Sequence, residues 1–540
     1  MPRRTRYRLF LFSLTLISLA CLSLRSEQDL HRVWAIKDAR IMTLAGPPVE
    51  KGTLVIRDGL IEALGPNLPI PKDAEVIDGA KLTVFPGLMD GLGQSLLKLP
   101  EEKMDMSRIS SGEFTDKDRG ITPGLAAFDY VNLGKAVFEK YHKLGFVAGH
   151  VMPDRGVLTG RSALFCFSDP DKNKALLLKD VCLGIGFSPS NFMVYPNSLM
   201  GVHSYLKQAL TDAAYFDQAR SRWLKELKGL NRPDHSPNLE VLADYATGKK
   251  PVIFLCRNQL DIRRSLSLAA EYRLSCLIAD LGGEAFGVIP ELKKANARVL
   301  CTVAFKAPGS SIYAQRGKTE REKAEKEVYP KNPARLAEAG IPFAFSSLGT
   351  DDPKTFAEGI LKAVEAGLPK EKAIEALTKT PAVFFGLDRA IGTIEPGKIA
   401  NLVLSEGELL VKDVKVRYAF VDGKKFELKE AKPGEGEKPT VNVTGKWELS
   451  VEGQMGMRLT IDFSQEEAAL SGKLITPFGA FDFTGGVVSG KDVSFEIAIS
   501  VGGQDIDLFF SATVEGEKMR GSVVQGGAGT AEFTAKRIPG

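Results

Sequence analysis

The sequence predicts an α/β protein: a (β/α)8 TIM-like barrel with a small β-sandwich built from both of its flanks, followed by a separate all-β domain of up-and-down barrel character. Three observations predict it. Short apolar runs alternate with amphipathic stretches from Leu82 to about Leu387, β-rich segments flank that region on both sides, and a charged Pro/Gly run near residue 430 precedes a final stretch of alternating pattern. The 540 residues, with 44% hydrophobic and 26% charged side chains, are enough for large buried cores and exclude a disordered or fibrous chain.

Residues 1–20 read as a secretory signal. Arg3, Arg4, Arg6 and Arg8 come without an acid, and the apolar run Leu9 to Ala20 is broken only by Ser13, Thr15 and Ser18. That run is shorter than the ~20 residues of a membrane-spanning helix. Ser18-Leu19-Ala20-Cys21 resembles a bacterial lipobox, which makes Cys21 a candidate for lipidation. The expected location is the periplasm or the outer cell envelope. The formal charge is +4, from 71 basic and 67 acidic residues, and removal of residues 1–20 takes it to zero. No nucleic-acid partner is expected of such a chain.

The composite sandwich is expected over 33–86 and 395–428. Asp58-Gly59 sits between two β-rich runs as a hairpin turn does, and Asp422-Gly423 closes a second strand on the far flank. The barrel is expected over 87–394. Strand candidates are Leu82 to Phe85, Phe146 to Val151, Val252 to Leu255, Cys276 to Ala279, Val299 to Val303 and Phe343 to Phe345. Asp261 to Tyr272 and Glu371 to Thr378 carry apolar residues at helical spacing. Reactive groups in such a barrel lie just past the strand ends. Residues 429–440 form a linker, and 441–540 hold alternating runs such as Met457 to Phe463, Val493 to Ser500 and Ile506 to Thr513.

Val84-Phe85-Pro86-Gly87-Leu88-Met89-Asp90 resembles the first barrel strand of the amidohydrolase superfamily, the imidazolonepropionase-like metal-dependent hydrolases. Ile391-Gly392-Thr393-Ile394-Glu395-Pro396-Gly397-Lys398 with Asn401-Leu402-Val403 is similar to that family's return to the sandwich. Ile121-Thr122-Pro123-Gly124, Gly160-Arg161-Ser162-Ala163-Leu164 and Ser198-Leu199-Met200-Gly201 look like a secreted bacterial branch, and the likeness extends over 33–428. The resemblance implies hydrolysis of carbon–nitrogen bonds, non-peptide or cyclic amide, by a water bound to zinc or another divalent metal. It also implies a ligand set: His-x-His after the first strand, a lysine or glutamate at mid-barrel, a His after each of strands five and six, and an Asp after strand eight.

This chain departs from that set throughout. The two first-strand positions are Leu92 and Gln94, the next two are Leu255 and Leu281, and the Asp position is Leu348. Leucine has no donor atom and a neutral amide is a poor ligand, so no metal and no other cofactor is expected. His31, His142, His150, His203 and His235 do not occur at ligand spacing. Weak catalytic candidates are His203 and the pair Asp351 and Asp352, although Asp before Pro353-Lys354-Thr355 reads more simply as a helix N-cap. Arg155, Arg161 and Ser347 are candidate pocket residues, the arginines for an anionic ligand. Cys166, Cys182, Cys256, Cys276 and Cys301 sit mostly in apolar runs and read as buried packing. Gly485 to Lys491 has the glycines and lysine of a phosphate loop, but it lies between strands and has Asp492 where Ser or Thr is needed; a hairpin turn explains it. Glu320 to Glu327 reads as a solvated charged helix face.

The resulting expectation is an amidohydrolase-fold protein without its metal centre, serving as a binding or partner subunit. Its partner would be an intact amidohydrolase relative or a second copy of itself. An apolar barrel mouth would take a small apolar or peptide-like ligand. Two alternatives stand beside it: a hydrolase with a relocated site using Asp351, Asp352, Gln94 or His203, and ligand binding within the C-terminal domain, which resembles a lipocalin-like module.

Overall fold

The protein is described from a computed structural model, over residues 32–99, 111–189, 193–305, 326–350, 352–412, 414–428, 439–451, 459–476, 479–501, 504–525 and 529–538. The signal segment with Cys21, His31, Asp351, residues 320–325 of the charged run and most of the linker lie outside the described residues. Two compact units divide at Leu428.

The flanks of the first unit build one eight-stranded sheet. Leu402–Glu406 pairs antiparallel with Leu82–Pro86, which sets the C-terminal flank against the N-terminal one. Val33–Ile41 forks the sheet: Val33 to Lys37 pairs with Ala74–Asp78, whereas Arg40 and Ile41 pair with Leu82–Pro86. The change of partner comes at Asp38, where φ is +58° and the register shifts, because a bulge bends the strand. Both expected turns have the conformation they need. Asp58 and Gly59 have φ of +49° and +77°, and Asp422 and Gly423 have +54° and +75°, so each hairpin closes through two left-handed residues. The two turns also meet, since a Cβ on Gly423 would come within 2.1 Å of the Gly59 Cα.

The stretch from Val84 to Asp90 is divided between two sheets. Leu82–Pro86 belongs to the flanking sheet and Leu88–Gly93 starts the barrel, with Gly87 as the break. A Cβ on Gly87 would stand 2.2 Å from the Val147 Cγ2, so glycine is required by close approach.

The barrel sheet runs Leu88–Gly93, Phe146–Val151, Leu158–Cys166, Leu176–Gly186, Val252–Cys256, Cys276–Asp280, Val299–Thr302 and Phe343–Ser346. Leu348 N–H donates to Leu92 O at 3.1 Å and so draws the last strand to the first. Seven strands are parallel. Leu158–Cys166 is antiparallel to both neighbours, a departure from the (β/α)8 expectation, so a short hairpin replaces one helical crossover. Helices Gln259–Tyr272, Pro353–Glu365 and Lys370–Leu377 each bury one stripe, and seven of the strands are nearly continuous runs of buried residues, as two-sided burial requires, while Leu176–Gly186 is buried only over its last five residues. Leu199–Lys225, 27 residues long, is the longest described helix, and no described helix is long and apolar enough to cross a membrane.

The second unit is a closed barrel of eight antiparallel strands in sequence order, from Gly445–Val451 to Gly529–Arg537, which pair with each other to close it. The glycine run around Gly485 lies in the strand Gly479–Ser489, which turns at Gly490.

Candidate functional site

The five positions that stand where the resemblance implies metal ligands lie at the C-terminal ends of parallel barrel strands. Leu92 is the penultimate residue of Leu88–Gly93 and Gln94 follows that strand; Leu255 is the penultimate residue of Val252–Cys256; Leu281 follows Cys276–Asp280; Leu348 comes just after Phe343–Ser346. Ser346 Oγ donates to Leu92 O at 2.8 Å, beside the backbone bond from Leu348. Leu255 and Leu281 line a cavity of about 690 Å³ at this mouth, shared with Phe187, Leu99, Asp154, Arg155, Arg257 and Lys117. That size suits a small molecule.

The reversed strand explains how Asp154 and Arg155 reach the cavity. Phe146–Val151 and Leu158–Cys166 are joined by only six residues, 152–157, at the mouth. Gly156 turns this loop with a φ of +107°, and a Cβ there would meet Gly120 O at 2.6 Å. With its amide nitrogen toward Asp154, Gln94 donates to both carboxylate oxygens, at 2.6 and 3.1 Å. Burial raises the Asp154 pKa, and the nearby charges of Arg155 and Arg257 oppose the rise. Among the described residues neither guanidinium makes a hydrogen bond or an ion pair. Arg257 directly follows Cys256, so its backbone is fixed by the strand end.

The mouth is therefore not the apolar surface expected from four leucines. The strand ends supply leucine and the loops supply charge.

Beneath the mouth lie two buried carboxylates that the sequence reading did not single out. Asp90 accepts from Leu92 N at 3.1 Å and Ser347 N at 3.0 Å, and also from Ser347 Oγ. Asp280 accepts from Glu284 N at 3.1 Å, Ala285 N at 2.9 Å and Asn332 Nδ2 at 2.9 Å. Burial pushes each carboxyl up to about 6 despite those donors. Asp90 ties the first strand to the last, and Asp280 holds the turn after Leu281. The signal for Asp90 was present in the sequence: an acid ending an apolar run of strand length requires partners.

The other candidates are occupied elsewhere. Arg161 pairs with Asp180 at 2.6 Å and donates to Gly124 O at 3.1 Å, so it is a strut and not a cavity residue. Ser347 is spent on Asp90. Asp352 caps Pro353–Glu365, accepting from Lys354 N at 2.7 Å and Thr355 N at 3.0 Å. His203 lies on Leu199–Lys225 and is not among the cavity-lining residues, its Nδ1 unpartnered among the described residues. His142 and His150 are buried against Phe167 O and Gly91 O, each pushed down to about 4 by burial, and His235 pairs with Glu240. Cys166, Cys182, Cys256 and Cys301 are buried, Cys276 is partly so, and all five are free thiols. Among the described residues no group of three His, Cys, Asp or Glu side chains could hold a metal ion.

In the second unit the interior is filled with side chains. Phe463, Phe483, Phe495, Phe510 and Phe533 form a continuous aromatic chain, with ring centroids from 4.6 to 6.0 Å apart. Trp447 is fully buried, donates Nε1–H to Val443 O at 2.8 Å, and is covered by the Arg537 guanidinium 5.2 Å from its ring.

Residues 313–426 match the model of the Amidohydrolase family. The fold is similar to that of an amidohydrolase from Thermotoga maritima MSB8, at a TM-score of 0.62 and 21% identity over 73% of this chain and 99% of that one. A Xaa-Pro dipeptidase with bound methionine in the active site (TM-score 0.43, 15% identity, 73% of this chain and all of that one) and molinate hydrolase (0.44, 15%, 74% and 95%) align less well. No curated protein matches the chain.

Proposed function

We propose that this chain, whose residues 313–426 match the Amidohydrolase family model and whose fold is similar to that of an amidohydrolase, has lost that family's metal centre and acts as a ligand-binding or partner subunit. One observation carries this reading: four of the strand-end positions where the resemblance implies metal ligands are leucines, and the single polar one, Gln94, lies against Asp154 and binds it once its amide nitrogen faces that carboxylate. Four hydrocarbon side chains offer no lone pair to a cation, and an amide engaged with a carboxylate offers little more. The basic, then apolar, N-terminal segment supports a role in the cell envelope, beside an intact amidohydrolase or a second copy of this chain.

A second reading is favoured by Asp154. A half-buried carboxylate with a raised pKa at the mouth is a better relocated acid or base than Asp352, which is occupied as a cap. Metal analysis of the purified protein, with amide and cyclic-amide hydrolysis assayed with and without chelator, separates these outcomes. The proposal expects no stoichiometric metal and no turnover. Stoichiometric zinc, or turnover abolished by chelator, overturns it; chelator-resistant turnover lost in Asp154→Asn establishes the relocated site instead.

A further inference from the structure

Resting on the reading of the mouth as a metal-free binding site, we infer that the cavity is built for a small organic carboxylate with an apolar body, its charged group taken by Arg155 and Arg257. Arg155 and Arg257 both line this cavity, both are exposed, and neither guanidinium makes a hydrogen bond or an ion pair among the described residues. Among the described residues of the cavity wall the carboxylate is Asp154, and with the Gln94 amide nitrogen toward it both its oxygens are engaged, which limits its pairing with the arginines. Among the described lining residues Arg155, Arg257 and Lys117 stand against Asp154, an excess of positive charge at the mouth. A planar fork of N–H donors matches a carboxylate in two parallel hydrogen bonds, which a lysine cannot do. Leu255, Leu281 and Phe187 offer the rest of the ligand an apolar wall. Ser188, also in the lining, supplies a hydroxyl for a polar group between the two ends.

This assigns Gln94 a role. It occupies a ligand position of the resemblance, yet here it restrains the acid that would otherwise neutralise the arginines. The same cavity would then select against cations and for anions, with the apolar wall discriminating a tailed carboxylate from a bare inorganic anion.

The test is isothermal titration of the full-length protein with N-benzoylglycine, its neutral amide and inorganic phosphate, in wild type and in Arg155→Gln, Arg257→Gln and Gln94→Leu, with and without chelator. The expected result is chelator-independent binding of N-benzoylglycine. The neutral amide, and each arginine variant tested with N-benzoylglycine, should bind roughly ten- to a hundredfold more weakly, the usual span for a charged hydrogen bond. Gln94→Leu should weaken binding by freeing Asp154 to pair with an arginine. Circular dichroism of each variant confirms folding. Equal binding of the acid and the amide, phosphate binding as tight as the acid, or no binding at all overturns this inference and leaves the metal-free reading standing. Binding that is lost on adding chelator overturns that reading as well.

Discussion

The two barrels of this protein each have eight strands, and they differ in what closure does to their ends. In the large unit seven strands are parallel, so their C-terminal ends and following loops gather at one mouth, where leucines meet the charges of Asp154, Arg155 and Arg257. In the small unit the strands alternate in direction, so the connections are shared between both ends, and the interior is filled by stacked phenylalanines. The large unit buries Asp90, Asp261 and Asp280; among the described residues of the small one no buried side chain is polar or charged apart from the Trp447 N–H. Topology alone thus makes one barrel a platform for a site and leaves the other free to be solid.

The difference can be broken most directly at the two interiors. Phe495→Ala removes the ring that stacks on Phe483 at 4.6 Å and Phe510 at 4.8 Å, and should cost about 3–5 kcal/mol. Leu255→Ala only widens an existing cavity, so its cost should stay near 2 kcal/mol or below. Scanning calorimetry that separates the two transitions checks both, and equal losses would remove the contrast.

Asp90 comes next in size. Asp90→Ala strands two backbone N–H groups and a hydroxyl in the core, at about 3 kcal/mol or more, whereas Asp90→Asn can still accept from both N–H groups and turn its amide to Ser347 Oγ. The same pair tests pH dependence. A carboxyl held near 6 in the fold and near ~3.9 in the unfolded chain binds its proton more tightly when folded. Stability of the large unit should therefore fall as pH rises from about 4 through 6 and level off above. Asp90→Asn should flatten part of that fall, Asp280 supplying the remainder.

Arg537→Gln should lower small-barrel stability by roughly 1–2 kcal/mol, through the lost ring contact with Trp447 and the hydrogen bonds to Asn442 O and Thr444 O. Trp447 fluorescence reports it. The smallest effect belongs to Asp352→Ala, about 1 kcal/mol from a lost N-cap, with no change in ligand binding. A large change in binding would return Asp352 to the site.

Much of this was legible in the sequence where local chemistry decides. Asp58-Gly59 and Asp422-Gly423 demand left-handed turns, and the apolar runs at Val252, Cys276, Val299 and Phe343 fall on strands. The strand pair Leu158–Cys166 and Leu176–Gly186 went unread because the reversal of one strand is a pairing choice, and pairing is set by partners distant in sequence. The site divides in the same way. The resemblance implies which strand-end positions to inspect, but that Gln94 lies against Asp154, that Arg257 shares its cavity, and that Arg161 is instead tied to Asp180 depends on where loops land. Asp352 was read correctly as a cap because capping is local.

The contact between Leu92 and Leu348 bears on reversibility in evolution. The two residues are buried and joined through Leu348 N and Leu92 O at the seam between the first and last strands. A single mutation introducing histidine at 92 or aspartate at 348 would place a polar group in that seam with no cation to meet it, a loss of roughly 1–3 kcal/mol for each unmet group. If the metal centre was lost as proposed, intermediates on a path back to it would be selected against before the last ligand arrived, and the mouth would more readily be put to a new use.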